Sequence, residues 1–332
     1  INGPDGYTPD GHCLMGEAGG LRGYYVLAGF SIFGILFGGG AGAELAEWIV
    51  EGEPGEDMWE MDVRRFGSYA APVSFVLSRG SEVYGREYAV HYPLEEYRSA
   101  RQLKVDPLYE TLRERGAVFG EKFGWERPVW FNPTGEQAPS NPYSFRRPAW
   151  HDAVGEECRG VREAVGVLDQ TSFAKYELEG PGAGALLDRL CANHLPKRDG
   201  SIVLTQMLTA GGGIECDVTV TRLGDDRFYV VSAAAAEDHD YSWIRRHLPE
   251  DASVELRNVS SAVGVLTIAG PRSRGLLSRV TNADVSRSAF PFFDMREIEV
   301  GPVPVRVLRL SYTGELGFEL HHPIEHSGRL YQ

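Results

Sequence analysis

The chain is 332 residues long and carries 33 basic against 47 acidic residues, a formal net charge of −14. It therefore has room for two or three domains and a substantial core, and the acidic balance argues against nucleic acid or an anionic membrane as a partner held by general electrostatics. Cys13, Cys158, Cys191 and Cys216 show no paired spacing, so neither a metal site nor a disulfide framework is expected, and the thiols read as small buried residues of a cytoplasmic protein.

Residues 24–43, YYVLAGFSIFGILFGGGAGA, carry no charge and are long enough to cross a bilayer as a helix. Gly29, Gly34, Gly38, Gly39, Gly40 and Gly42 argue against that, because each costs about 1 kcal/mol relative to alanine inside a helix. The stretch is better divided: YYVLAGF predicts a short buried strand, and a helix is expected to start beyond the glycines. Ala41, Leu45, Trp48 and Ile49 then share one face, opposite Glu44, Glu47 and Glu51. Strand, glycine turn and helix start together form a cradle in which free N–H groups point outward and a flat ring can approach the backbone. No membrane contact is expected.

EGEPGE closes this unit near residue 53, and 54–106 carries mixed signals that suit a small connector packed on it. From 107 onward strands and helices alternate, and a repeat emerges. Gly180-Pro181 is followed by Leu186, Leu187, Arg189 and Leu190; Gly270-Pro271 is followed by Leu276, Leu277, Arg279 and Val280. A strand (KYELEG, VLTIAG) precedes each Gly-Pro and an amphipathic helix follows it, which predicts a duplicated α+β unit with a ligand site where the copies face each other. Each copy continues into a hairpin, GGGIECDVTVTRLGDDRFYVVS turning at Gly224–Asp226 and VRVLRLSYTGELGFEL turning at Thr313-Gly314. These hairpins put Asp217 and Glu319 at comparable places.

Gly211–Gly213 allow a flat ligand close to the backbone beside Asp217. A carboxylate there can accept paired N–H donors of a pterin-like ring or stabilise a cationic iminium. Asp217 reads equally as an exposed strand-start residue beside a plain turn, and Tyr312 and Glu319 as solvated positions beside a tight turn. His321 and His322 are adjacent in a strand and face opposite sides, so they cannot readily chelate one ion. Asp238-His239-Asp240 suits a helix start. G-x-S-x-G, Walker lysine and H-E-x-x-H motifs are absent from the sequence, which speaks against nucleophilic and zinc hydrolysis.

The stretch TPDGHCLMGEAGGLRGYYVLAGFSIFGILFGGGAGAELAEWIVEGEP resembles the C-terminal end of a D-amino-acid-oxidase-like flavin domain. DVRRFG, HYPLEEYRSARQ, RGAVFGEKFGWERPVWF and SFRRPAWHDAVGEECRGVREAVGVLDQTSFAKYELEGP resemble the middle of the dimethylglycine and sarcosine dehydrogenase family. GGIECDVTVTRL and YTGELGFEL resemble its folate-binding half, which is similar to the aminomethyltransferase T-protein of glycine cleavage. The resemblance covers nearly the whole chain.

It implies an α+β architecture: an FAD-domain remnant (1–53), a connector (54–106) and an aminomethyltransferase-like folate-binding domain (107–332), incomplete at its C-terminus. It further implies FAD against Gly29, Phe30, Ser31, Ile32, Phe33, Gly34 and Ile35, and tetrahydrofolate against Asp217, Tyr312 and Glu319, with Asp217 near the reactive folate nitrogen. The implied chemistry is hydride removal from an N-methyl amine to give an iminium, whose carbon passes to tetrahydrofolate or leaves as formaldehyde. The implied partner is the small amine; the electron acceptor stays open. Ala233 departs from the T-protein pocket, which has asparagine there. The opening Ile-Asn-Gly, the lack of a dinucleotide-binding G-x-G-x-x-G and the strand-like ending lead us to expect a piece of a longer protein. Two rival readings stay open, a non-catalytic regulator of the same architecture and a stand-alone aminomethyltransferase.

Overall fold

The structure is a computed structural model that describes residues 3, 5–135 and 142–332. The chain begins with an antiparallel pair, β1 (Leu14–Glu17) and β2 (Tyr25–Ala28), followed by helix α1 (Gly34–Glu51). Two expectations change here. The β2 strand is half-exposed rather than buried, since two strands alone cannot cover both of their faces. The helix starts at Gly34 and runs through the glycines, because propensity is a weak prior that tertiary structure overrides. A Cβ at Gly38, Gly39, Gly40 or Gly42 would meet nothing within 4 Å, so no packing among the described residues requires glycine at those positions. The helix is anchored at Trp48, whose ring lies so close to Gly16 that a Cβ there would fall 2.5 Å from it. Ile49, expected on the buried face, is exposed, as are Ile35, Leu36, Phe37 and Val50. Gly52, at φ 87°, closes the helix by donating its N–H to the Trp48 carbonyl.

The connector holds helix α2 (Val73–Arg86) and two short 3₁₀ turns, Val63–Arg65 and Ser68–Ala70. Buried Arg79 on α2 donates to Glu121 at 2.8 Å. This ties the connector to a hairpin, β3 (Ala117–Lys122) and β4 (Trp125–Phe131), reached through α3 (Tyr109–Glu114). Helix α4 (His151–Glu163) then leads into the repeat.

The duplication is real and extends to strand order. Its elements are β5 (Gly166–Asp169), β6 (Ala174–Glu179), α5 (Ala183–Leu190), β7 (Ile202–Leu208), β8 (Ile214–Gly224), β9 (Arg227–Ser232), α6 (Glu237–Arg246) and β10 (Glu255–Asn258), then β11 (Val263–Ala269), α7 (Ser273–Val280), β12 (Asp294–Val300), β13 (Val303–Arg309), β14 (Gly317–Pro323) and α8 (Ser327–Tyr331). One sheet runs β10-β6-β9-β8-β7 and the other, read from the same end, β5-β11-β14-β13-β12. Gly180 and Gly270 occupy the same turn at φ 126° and 124°. At both, a Cβ would press within 2.5 Å of a backbone carbonyl oxygen, so only glycine fits.

Each sheet has its own core. Tyr176, Leu178, Val218, Val220, Phe228 and Val230 pack on α5 and α6; Leu266, Ile268, Val305, Val307, Phe318 and Leu320 pack with α7 and α3. Side chains alternate along a strand, so the intervening positions look toward the other sheet. The sheets join where β7 and β12 begin, through Ile202 N–H to the Phe293 carbonyl at 2.9 Å and Met295 N–H to the Gly200 carbonyl at 2.6 Å. Under this pairing β8 corresponds to β13 and β9 to β14. Asp217 and Glu319 are therefore not equivalent, although the sequence reading placed them so: one lies on the first strand of its hairpin and the other on the second.

Candidate functional site

Strand register shows which side chains share the space between the sheets. Tyr229 pairs with Thr221 and Val231 with Thr219, so Asp217, two residues before Thr219, lies on the face of the first sheet that Tyr229 lines. On the second sheet His321 pairs with Arg306 and Val265, and Glu319 with Leu308 and Thr267. The two faces meet where the Tyr229 hydroxyl and His321 Nδ1 lie 2.9 Å apart, and Arg306 crosses over the Tyr229 ring to donate to Glu177 at 2.7 Å.

The expected folate residues are divided between the two sheets and the β13–β14 turn. Asp217 neighbours Val218, which pairs with Ser232; Ser232 pairs with Ala174, the residue after Phe173. The Phe173 ring meets Tyr312 edge-on at 6.5 Å. Tyr312, in the β13–β14 turn, is exposed, as expected. Asp217 is also exposed, its carboxylate accepting from the Gln206 side chain at 2.8 Å. Glu319 departs from the solvated reading: it is buried and accepts from His321 Nε2 at 3.0 Å. Thr267 donates to Gln170 beside it. Ala233, directly after Ser232, presents only a methyl group to solvent.

Burial keeps the His321 imidazole below its ordinary range, against the opposing pull of Glu319, so the ring is neutral at pH 7. A carboxylate oxygen only accepts, so the ring proton sits on Nε2 and the Tyr229 hydroxyl donates to Nδ1. His322 faces the other way, toward Ser327, as alternation along the strand predicts. Gln206, Phe173, Gln170 and Tyr229 escaped the sequence reading, and His321 was weighed there only as a metal ligand. Only His321, two residues from Glu319 and thus on its face, carried a signal that could have found it.

The Gly29–Ile35 segment forms the expected strand–turn–helix. Gly29, Ser31 and Ile32 all have positive φ, 68°, 47° and 69°, a strain that β-branched Ile32 tolerates least. Ser31 is buried, its N–H donating to the Gly6 carbonyl at 3.1 Å. Phe33 rests edge-on against Phe37 at 5.9 Å. The N–H groups of Leu36 and Phe37 return to the Phe33 carbonyl, while those of Gly34 and Ile35 find no backbone acceptor among the described residues. Two free donors at a helix start suit the electron-rich edge of a flavin ring, and the buried Glu319 carboxylate suits the paired N–H donors of a pterin. No hydrogen bond or ring contact among the described residues links the two sets.

A third constellation joins the units. The β7–β8 ladder skips Glu215 between Cys216 and Ile214, and the carboxylate of this bulge residue takes Arg64 at 3.2 Å and His239 Nε2 at 3.1 Å. Arg64 also grips Asp62 at 2.6 Å, and His239 Nδ1 reaches Asp240 at 2.9 Å. Asp238-His239-Asp240 does start a helix, as expected, but His239 and Asp240 are buried. Cys216 lies close to both, yet the imidazole nitrogens and the Asp240 carboxylate are already committed to each other, to Glu215 and to Ser232. Burial opposes the charged imidazole, but the bonds to Asp240 and Glu215 outweigh it and raise its pKa to about 9. A cleft of 930 Å³ opens beside this cluster, walled by Trp48, Trp59 and Trp243. Of the cysteines, Cys158 is exposed on α4 rather than buried.

Residues 108–332 match the GCVT N-terminal domain, and 51–105 the FAD dependent oxidoreductase central domain. The chain belongs to the GCVT N-terminal domain family. Dimethylglycine dehydrogenase of Rattus norvegicus is 37% identical to this GCVT-family chain over all of it and 38% of the rat protein. The pyruvate dehydrogenase phosphatase regulatory subunit of Mus musculus is 38% identical over the same shares. The chain thus spans little more than a third of these relatives. Aminomethyltransferase T from Bartonella henselae shares the fold at a TM-score of 0.56 and 23% identity, over 69% of this chain and 56% of that one. The resemblance to the dimethylglycine and sarcosine dehydrogenase family and the mixed α and β fold class are borne out. No described helix is long and apolar enough to cross a membrane.

Proposed function

We propose that this chain is the flavin-edge, connector and folate-binding portion, divided near 53 and 106, of an enzyme that oxidises an N-methyl amine such as dimethylglycine or sarcosine and passes the one-carbon unit to tetrahydrofolate. FAD, when bound, would accept the hydride. The free N–H groups of Gly34 and Ile35 would then face its electron-rich edge, and Ile35, exposed here, would be covered. In the folate unit, Glu319 would hold the pterin by its paired N–H groups while Tyr312 and Phe173 border the ring. Asp217, on the facing sheet, would stabilise the positive iminium as its carbon is captured.

The observation that carries this reading is that strand register sets Asp217 on the Tyr229-lined face of one sheet and Glu319 on the His321-lined face of the other, with the Phe173 ring 6.5 Å from Tyr312. The test is Asp217→Asn in the full-length protein. Amine-dependent dye reduction should hold while methylenetetrahydrofolate yield falls about 10²-fold, as for loss of a charge stabiliser, and free formaldehyde rises. If both activities fall together, Asp217 is structural; if neither changes, the folate site lies elsewhere.

A second reading, a non-catalytic regulatory protein, is favoured by the 38% identity to the mouse phosphatase regulatory subunit. Absence of amine-dependent dye reduction in flavin-loaded full-length protein would select it.

A further inference from the structure

We propose that His321 is a positioning residue for tetrahydrofolate, locked by Tyr229 so that its Nε2–H holds the Glu319 carboxylate in place. The proposal rests on the folate reading of Glu319. Its footing is a buried, linear chain that spans the two sheets: Tyr229 hydroxyl to His321 Nδ1 at 2.9 Å, His321 Nε2 to Glu319 Oε2 at 3.0 Å. All three residues are nearly inaccessible.

The chain has one direction. Burial holds the Tyr229 phenol well above its ordinary pKa and the His321 ring below its own, so the phenol keeps its proton and the imidazole stays neutral near pH 7. Tyr229 can only donate inward, which leaves the ring proton on Nε2, aimed at Glu319. The imidazole sits edge-on to the Tyr229 ring at 5.5 Å, and Arg306 caps that ring at 5.2 Å while bound to Glu177. Packing therefore fixes the ring plane from the first sheet. With Oε2 engaged and its plane set, the carboxylate is oriented before a ligand arrives, and that orientation need not be acquired on binding.

The sheets are the two halves of the duplication, so the geometry of the Glu319 site depends on how the halves dock. A residue that looks like part of one hairpin is aligned by a tyrosine from the other.

The test uses the full-length protein with tetrahydrofolate as the titrant, followed by tryptophan quenching or calorimetry at pH 7.5. His321→Leu should weaken binding at least tenfold and leave amine-dependent dye reduction unchanged. A purely space-filling role would be met equally by leucine and glutamine. His321→Gln, which can still donate, should recover part of the affinity, and Tyr229→Phe should cost a few-fold.

Wild-type affinity in His321→Leu, or a His321→Gln variant no better than His321→Leu, overturns the proposal while leaving the folate reading standing, provided Glu319→Gln does weaken binding. Wild-type affinity in Glu319→Gln overturns the folate reading itself. Should His321→Leu fail to fold, Tyr229→Phe decides: an unchanged affinity overturns the proposal.

Discussion

His239 offers the sharpest test of how the units are held together. The imidazolium is clasped between Asp240 at 2.9 Å and Glu215 at 3.1 Å, with Arg64 on the far side of Glu215 and the Trp59 ring edge-on at 5.0 Å. Its pKa is raised from the ordinary 6.5 to about 9, which at about 1.4 kcal/mol per tenfold change in proton affinity amounts to roughly 3 kcal/mol of stabilisation. Because the folded pKa lies above the unfolded one, this contribution is complete below pH 6.5 and is lost as pH rises through about 9. His239→Gln removes the titration while keeping a donor. Urea unfolding of both proteins at pH 6, 7.5 and 9.5, read by tryptophan emission, should show the wild-type advantage shrinking by roughly 3 kcal/mol across that range. An NMR titration of the His239 Cε1 proton should give the same midpoint. Parallel pH curves for the two proteins, or a ring that titrates near 6.5, would refute the reasoning.

Gly270→Ala would drive a Cβ to 2.5 Å from the carbonyl oxygens of both Ala164 and Val161 at φ 124°. It should lower stability by about 3 kcal/mol or more, whereas Gly275→Ala, with open space around it, should match or exceed the wild type in thermal midpoint. Lys175 is fully buried, its ammonium donating to the Thr171 carbonyl at 2.7 Å, and burial lowers its pKa to about 7 against the pull of Glu237 and Asp169. A depressed lysine makes stability rise with pH between about 7 and 10.5; Lys175→Met should flatten that rise in denaturation curves, and an unaltered slope would count against the assignment. Ile35 is wholly exposed, so Ile35→Glu should fold normally. In full-length protein it should lower the flavin content measured by absorbance, and full occupancy would show that the ring does not lie there.

The amino-acid order carried the duplication plainly. Gly180 and Gly270 sit in turns where a side chain would collide with backbone, so that geometry leaves its mark on residue type. The same local logic exposed the strand–turn–helix at Gly29–Ile35 and both hairpins, because turn chemistry and alternation act over a few residues. Helix α1 was misread at its start, since the glycine cost that should have delayed it is small beside the rest of the fold. Ile49 was misplaced for a related reason: periodicity names a face but not what covers it, and no described element covers Ile49.

What lay beyond the sequence was everything set by docking. Asp217 and Glu319 looked equivalent until strand pairing put them on non-corresponding strands, and Glu319 looked solvated until His321 and Tyr229 closed over it. Asp238-His239-Asp240 read as a helix start and is one, yet the clasp on His239 needs Glu215 turned by a bulge and Arg64 brought from the connector. Burial and hydrogen-bond partners depend on residues distant along the chain, more than 90 positions apart for Tyr229 and His321. Local propensity has no term for such a meeting; only the packing of one half against the other decides it.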